Sequence, residues 1–163
     1  MSQTDIKSIK KSWYHEIVKD LSNILPAIQY FNSELEHARH TELCMKKKII
    51  EDIAVELPGV VEYRFNQLQE IEAILNFLNI GLRKLRSQYF KKYLENYQRA
   101  LSSRDVEKYV DGESEIVDYE SIINEFALVR NQWLGLLKSL DILQWQLTNI
   151  VKLRVAGLDD AAL

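Results

Sequence analysis

YESIINEFALVRNQWLGLLKSLDILQWQLTNI, residues 119–150, sets Tyr119, Ile122, Phe126, Val129, Trp133, Leu136, Leu140, Leu143, Leu147 and Ile150 at alternating steps of three and four residues. That spacing returns each side chain to one stripe of an α-helix and is the repeat of a coiled-coil seam. A helix over residues 118–154 would be on the order of 55 Å long at 1.5 Å per residue. Ile123, Leu134, Leu137 and Val151 widen the stripe beyond a two-in-seven zipper, so the helix can face more than one neighbour. The pattern predicts an oligomerisation helix, with Tyr119, Phe126, Trp133, Leu136, Leu140, Leu143, Leu147 and Ile150 as its contact residues.

Upstream, Leu68, Ile71, Leu75, Leu78, Leu82, Leu85 and Tyr89 repeat the pattern, predicting a second long helix over residues 60–101 behind Pro58 and Gly59. Between the two, Ser102-Ser103-Arg104-Asp105 offers a stop and a fresh N-cap, a short helix is expected from Asp105 to Val110, and Asp111-Gly112-Glu113 offers a turn. Residues 1–57 are read as a helical extension, with one amphipathic helix carrying Ile6, Ile9, Trp13, Ile17 and Leu21, an interruption at Pro26, and another helix from Ala27 to Leu57. Residues 58–163 form the core. Only five Gly and two Pro occur in 163 residues, too few corners for sandwiches, barrels or Gly-cradled phosphate loops. The fold class is all-α, built from long amphipathic helices. Gly81 and Gly135 fall inside those helices, where each costs roughly 1 kcal/mol against Ala, so close packing is expected at both.

Charge is balanced overall, 21 basic against 24 acidic residues, but not along the chain. Residues 83–92 hold Arg83, Lys84, Arg86, Lys91 and Lys92 without one carboxylate, and Asp105, Glu107, Asp111, Glu113, Glu115, Asp118 and Glu120 follow shortly after. On a helical wheel, Lys84 and Lys91 lie across from the seam. Arg83, Arg86, Phe90, Tyr93 and Tyr97 form a mixed cationic and aromatic stripe beside it. Cations that neutralise phosphates next to rings that stack on bases suit sequence-tolerant binding of a single strand; the plainer alternative is a solvated face beside extra core. The candidate nucleic-acid-binding residues are Arg83, Lys84, Arg86, Phe90, Lys91 and Lys92.

Lys84-Leu85-Arg86 followed by Tyr89-Phe90 resembles the Lys-Ala-Arg-Leu motif and aromatic pair of the UvsY family of phage recombination mediators. Lys108-Tyr109-Val110-Asp111-Gly112-Glu113-Ser114-Glu115-Ile116-Val117, Trp133-Leu134 and Gln144-Trp145-Gln146-Leu147-Thr148-Asn149-Ile150 are similar to that family's acidic turn and C-terminal helix. Over residues 65–157 the resemblance implies a non-enzymatic homo-oligomer, a ring of six or seven. Such a ring binds single-stranded DNA and helps load a RecA-like recombinase onto strands covered by single-strand-binding protein. It also implies Lys84 and Arg86 as the principal phosphate-contacting pair and the cytoplasm of an infected bacterium as the compartment. Ser87 stands where the family has Leu, and residues 1–57 have no counterpart.

No other motif supports chemistry. Glu34-Leu35-Glu36-His37 has one Glu-x-x-His, where a di-iron bundle needs two. Cys44 would lie about 10 Å along a helix from His37, too far for both to join His40 on one zinc ion. Asp111-Gly112-Glu113-Ser114-Glu115 opens like a calcium loop but has Ile116 and Ile122 where glycine and a bidentate acid are required. An acidic first helical turn explains these residues, and it suits basic groups of a neighbouring subunit or an external partner. No catalytic residue, metal site or cofactor is expected. The lone cysteine and the absence of a long apolar run predict a soluble protein without a disulfide or membrane span.

Overall fold

The computed structural model describes residues 12–43, 49–96 and 102–158. Those residues form α1 (Trp13–Lys19), a 3-10 turn (Leu21–Asn23), α2 (Ile24–Thr41), α3 (Ile50–Asn96), α4 (Ser103–Asp111) and α5 (Ser114–Val155), with no strand among them. The fold is all-α. The chain divides into two compact units, one of Met1–Ile71 with Val129–Leu163 and one of Glu72–Leu128. The boundary expected at residue 57 does not coincide with that division, because the N-terminal helices share a core with the second half of α5.

In the first unit, α2 buries Ile24, Ala27, Phe31, Leu35 and Ala38 on one stripe. Phe31 meets the Trp133 ring of α5 edge-on at 6.2 Å between centroids. Glu70 of α3 tethers the start of α1, accepting from the Ser12 hydroxyl at 2.9 Å and the Tyr14 amide at 3.1 Å. Pro26 sits in the first turn of α2, where its missing amide costs nothing, so it begins a helix rather than interrupting one. Ile6 and Ile9 lie outside the described residues, as do Tyr97 and Leu101.

Pro58 does not start α3; it lies inside it. Ile50, Ile53 and Leu57 are buried and continue upstream the stripe that reaches Leu68 and Ile71. Their burial, about 1.5–3 kcal/mol each, outweighs the roughly 3 kcal/mol of one interior proline, whose ring stands on the exposed side. At the far end of α5, Gly157 adopts φ 88°. The Leu158 amide donates to the Leu153 carbonyl at 3.1 Å and the Gly157 amide to Arg154 at 3.0 Å, a Schellman stop that needs glycine's left-handed backbone.

The α5 seam corrects the assembly argument. Phe126, Val129, Trp133, Leu136, Leu140, Leu143, Leu147 and Ile150 are all buried within the single chain, and Tyr119 is half-buried. Heptad spacing requires an apolar partner surface but does not say whose. Here α2 and α3 contribute buried stripes of their own, so the seam needs no second subunit to leave water.

In the second unit, Ser102 caps α4 as expected, its hydroxyl accepting from the Asp105 amide at 3.3 Å and donating to the Asp105 carboxylate at 2.6 Å. Val106, Val110 and Ile116 are buried against Leu82, Leu85, Tyr89, Phe90 and Tyr93 of α3. Gly81 permits the approach of α5: a β-carbon there would stand 2.1 Å from the Tyr119 hydroxyl. Gly135 has nothing within 4 Å of that position, so the close packing expected there is absent.

Candidate nucleic-acid interface

The sequence placed six candidate residues on one helix, and α3 carries them all within the second unit, but on two different faces. A helix turns about 200° between residues i and i+2, which separates Lys84 from Arg86. Lys84 faces solvent. Arg83, Lys84, Ser87 and Gln88 with Ile80 line an open depression on the outer side of α3. Arg83 and Lys84 make no ion pair among the described residues; the Arg83 Nε donates only to the Asn79 carbonyl, at 3.4 Å. Lys91 is exposed, 3.7 Å from Glu95, a surface pair of the kind worth about 0–1 kcal/mol. Lys92 is exposed too, its ammonium 5.2 Å from the centroid of the Tyr89 ring.

Arg86 and Phe90 lie on the other face, against α4 and α5. Phe90 is half-buried beside Val106, Val110 and Ile116, so it is core rather than a stacking platform. Arg86 is occupied at both ends of its guanidinium, donating to Glu120 at 2.8 Å and to Asp111. Its neighbours are engaged in the same way. The Tyr89 hydroxyl donates to Glu115 at 2.6 Å and the Tyr93 hydroxyl to Glu113. The hydrogen bond to Glu115, then burial, raises the Tyr89 pKa above that of an ordinary phenol. Tyr93 also stacks on Tyr109 of α4, with centroids 5.7 Å apart and planes at 24°. The pair implied by the resemblance, Lys84 with Arg86, is therefore split, and of the cationic and aromatic stripe Arg86 and Tyr93 point at the protein's own carboxylates instead of at water.

The acidic turn finds its explanation in the same contacts. Asp111, Glu113 and Glu115, the alternate carboxylates that open like a calcium loop, reach Arg86, Tyr93 and Tyr89. The chain itself supplies one basic group, Arg86, to Asp111, while Glu113 and Glu115 accept from tyrosine hydroxyls. Cys44 of the considered zinc triad is outside the described residues, and the exposed His40 stands 3.9 Å from Glu36.

Two features of the first unit had escaped the sequence reading. Arg64, only 2% exposed, donates to Glu42 through Nε at 3.0 Å and Nη2 at 2.6 Å, and through Nη1 to Glu34 and Gln67, both at 2.8 Å. Its guanidinium carbon lies 5.7 Å from the Trp133 ring centroid. Burial pushes the Glu34 carboxyl up, but hydrogen bonds from Arg64 and Gln67 and the Arg64 charge outweigh it and hold the group below the ordinary carboxylate value. The signal was present: Arg64 is four residues before Leu68 on the apolar stripe, and a charge at such a position requires partners. The second feature is an apolar groove of about 830 Å³ lined by Leu57, Val61 and Phe65 of α3 and by Leu147 and Val151 of α5. Among the described residues no helix is long and apolar enough to cross a membrane.

No protein-family model, curated protein or solved structure matches the chain.

Proposed function

We propose that the protein is a non-enzymatic single-stranded DNA-binding recombination mediator of the UvsY type, and that its contact surface is the outer face of α3. The observation that carries this reading is the exposed couple Arg83 and Lys84, without an ion pair among the described residues, extended along the same helix by Lys91 and Lys92. Four cations in ten residues suit a strand that runs along the helix, contacted through its phosphates without reading of sequence. Arg86 and Phe90 leave this surface for the reasons given above. The recombinase and single-strand-binding protein enter as partners through the resemblance, as do the bacterial cytoplasm and a role in DNA repair.

Assembly into a homo-oligomeric ring of six or seven belongs to the same proposal, moved to another face. Taking Val129 as zero, the buried seam of α5 lies within about 60° of it, whereas Leu134, Ile142, Trp145 and Leu153 fall between about 140° and 240°. All four are exposed, Trp145 by 70%, and this outer stripe can meet a second copy of the chain.

A labelled oligonucleotide titrated at several salt concentrations tests the DNA surface. Parent binding should weaken linearly in log–log form, and Arg83→Ala/Lys84→Ala should reduce the slope by about 1.4, roughly 0.7 per lost phosphate contact on a single strand. An unchanged slope would remove the outer face. No binding at low salt would remove the DNA reading and favour a second one, an adaptor acting only through protein contacts, which the apolar groove between α3 and α5 supports.

A further inference from the structure

The inner face of α3 carries Arg86, Tyr89 and Tyr93, groups that would serve a nucleic-acid strand, and each of them is engaged by an acidic or aromatic group of α4, the following turn or α5. We infer that the segment from Tyr109 to Glu120 is an intramolecular mimic of a single-stranded nucleic acid, clasping a second, cryptic strand-binding face made of Arg86, Tyr89 and Tyr93. The inference rests on the DNA-binding reading above.

The mimicry is chemical, group by group. Arg86 holds two carboxylates, Asp111 and Glu120, at its two terminal nitrogens, as a guanidinium holds two phosphates. The Tyr89 and Tyr93 hydroxyls donate to Glu115 and Glu113, where phosphate oxygens would accept. Tyr109 lies on the Tyr93 ring at 5.7 Å and 24°, the arrangement a base would take on that platform. Carboxylates at successive turns with an aromatic ring alongside reproduce the pattern of a backbone and one stacked base. Charge attraction alone would not create this arrangement; it requires both segments to be placed in register, and Val106, Val110 and Ile116 do that by packing against Leu82, Leu85 and Phe90.

The packing also gives the device its direction. With α4 seated, a strand meets only Arg83, Lys84, Lys91 and Lys92. A strand held there at high local concentration competes for Arg86 and the tyrosines, and when it wins, α4 and the acidic turn are displaced. Between α3 and α4 a cleft of about 340 Å³ lined by Arg86, Phe90, Glu107 and Asp111 marks where the displacement would begin.

Neutralising the mimic while keeping its apolar packing tests the inference. Asp111→Asn/Glu113→Gln/Glu115→Gln/Glu120→Gln should bind a labelled poly-dT oligonucleotide at least tenfold more tightly than the parent at fixed low salt, and adding Arg86→Ala should abolish the gain. A control with the same net-charge change in the first unit, Glu51→Gln/Asp52→Asn/Glu62→Gln/Asp141→Asn, should gain far less. Equal gains in the two variants would make the effect one of net charge and overturn the inference. A clasp variant that binds like the parent overturns it too and leaves the outer face standing. Absence of binding by the parent and by every variant would instead remove the DNA reading on which it rests. Amide hydrogen exchange of the parent checks the displacement without any substitution: saturating oligonucleotide should lower protection across residues 103–111, and unchanged or increased protection there overturns the clasp.

Discussion

Replacing Leu140 by Asp separates an internal seam from an intersubunit one. Leu140 is 0% exposed within one chain, in the middle of the α5 stripe between Leu136 and Leu143. Truncating a buried leucine costs about 2–5 kcal/mol through lost transfer energy and the cavity left behind. The new carboxyl adds to this. Buried among apolar side chains it must take up a proton, and a pKa raised by about three units costs about 4 kcal/mol more at neutral pH. The sum, roughly 6–9 kcal/mol, is comparable with the ~5–15 kcal/mol that holds a domain together. Leu140→Asp should therefore unfold the chain, with loss of far-ultraviolet helical signal and of a cooperative urea transition. Trp145→Asp is the counterpart on the opposite side of the same helix. Its ring is 70% exposed, so chain stability should change by no more than about 0.5 kcal/mol, while the particle mass from light scattering falls if that face joins subunits. A Leu140→Asp variant that stays helical and cooperative but drops to monomer size would refute the reasoning, because it would show the seam buried against other copies.

The Arg64 network makes a prediction of its own. Arg64→Met strands two carboxylates, and since Glu34 and Glu42 keep 27% and 16% side-chain exposure, the loss should sit near the lower end of the buried-pair range, about 2–3 kcal/mol in urea melts. The depressed Glu34 pKa adds a pH signature: its stabilisation is present above the unfolded value near about 4.3 and is lost as pH falls through the lower folded value, so Arg64→Met should flatten the acid limb. If the variant melts like the parent at neutral pH, the network contributes nothing. Gly81→Ala should destabilise by about 1–3 kcal/mol by driving a methyl group into the Tyr119 hydroxyl, and Tyr119→Phe should restore part of the loss; two additive effects would mean the helices part freely.

Helical content and most of the stripe positions were legible along the chain because a 3-4 spacing is a property of consecutive residues. Ser102 as a cap and the short α4 were legible for the same reason: each is a local backbone event with a side-chain signature. Pro58 misled because its local cost is overridden by the burial of Ile53 and Leu57, which depends on tertiary packing. Lys84 and Arg86 look like one site when read two letters apart, yet on a helix they stand on different faces.

By itself the sequence determined that the chain is helical, that α5 has an apolar seam, and that a basic stretch is followed by an acidic one. Tertiary structure decided who meets whom. Periodicity states that a stripe must be covered and charge states that a cation seeks an anion, but neither names the partner. The close approach of Phe31 to Trp133, and of Arg86 to Asp111 and Glu120, turned an expected intersubunit seam into a core and an expected phosphate contact into an internal ion pair. Those choices depend on which segments the folded chain brings within a few ångströms, and such distances are set by the packing of all the helices together.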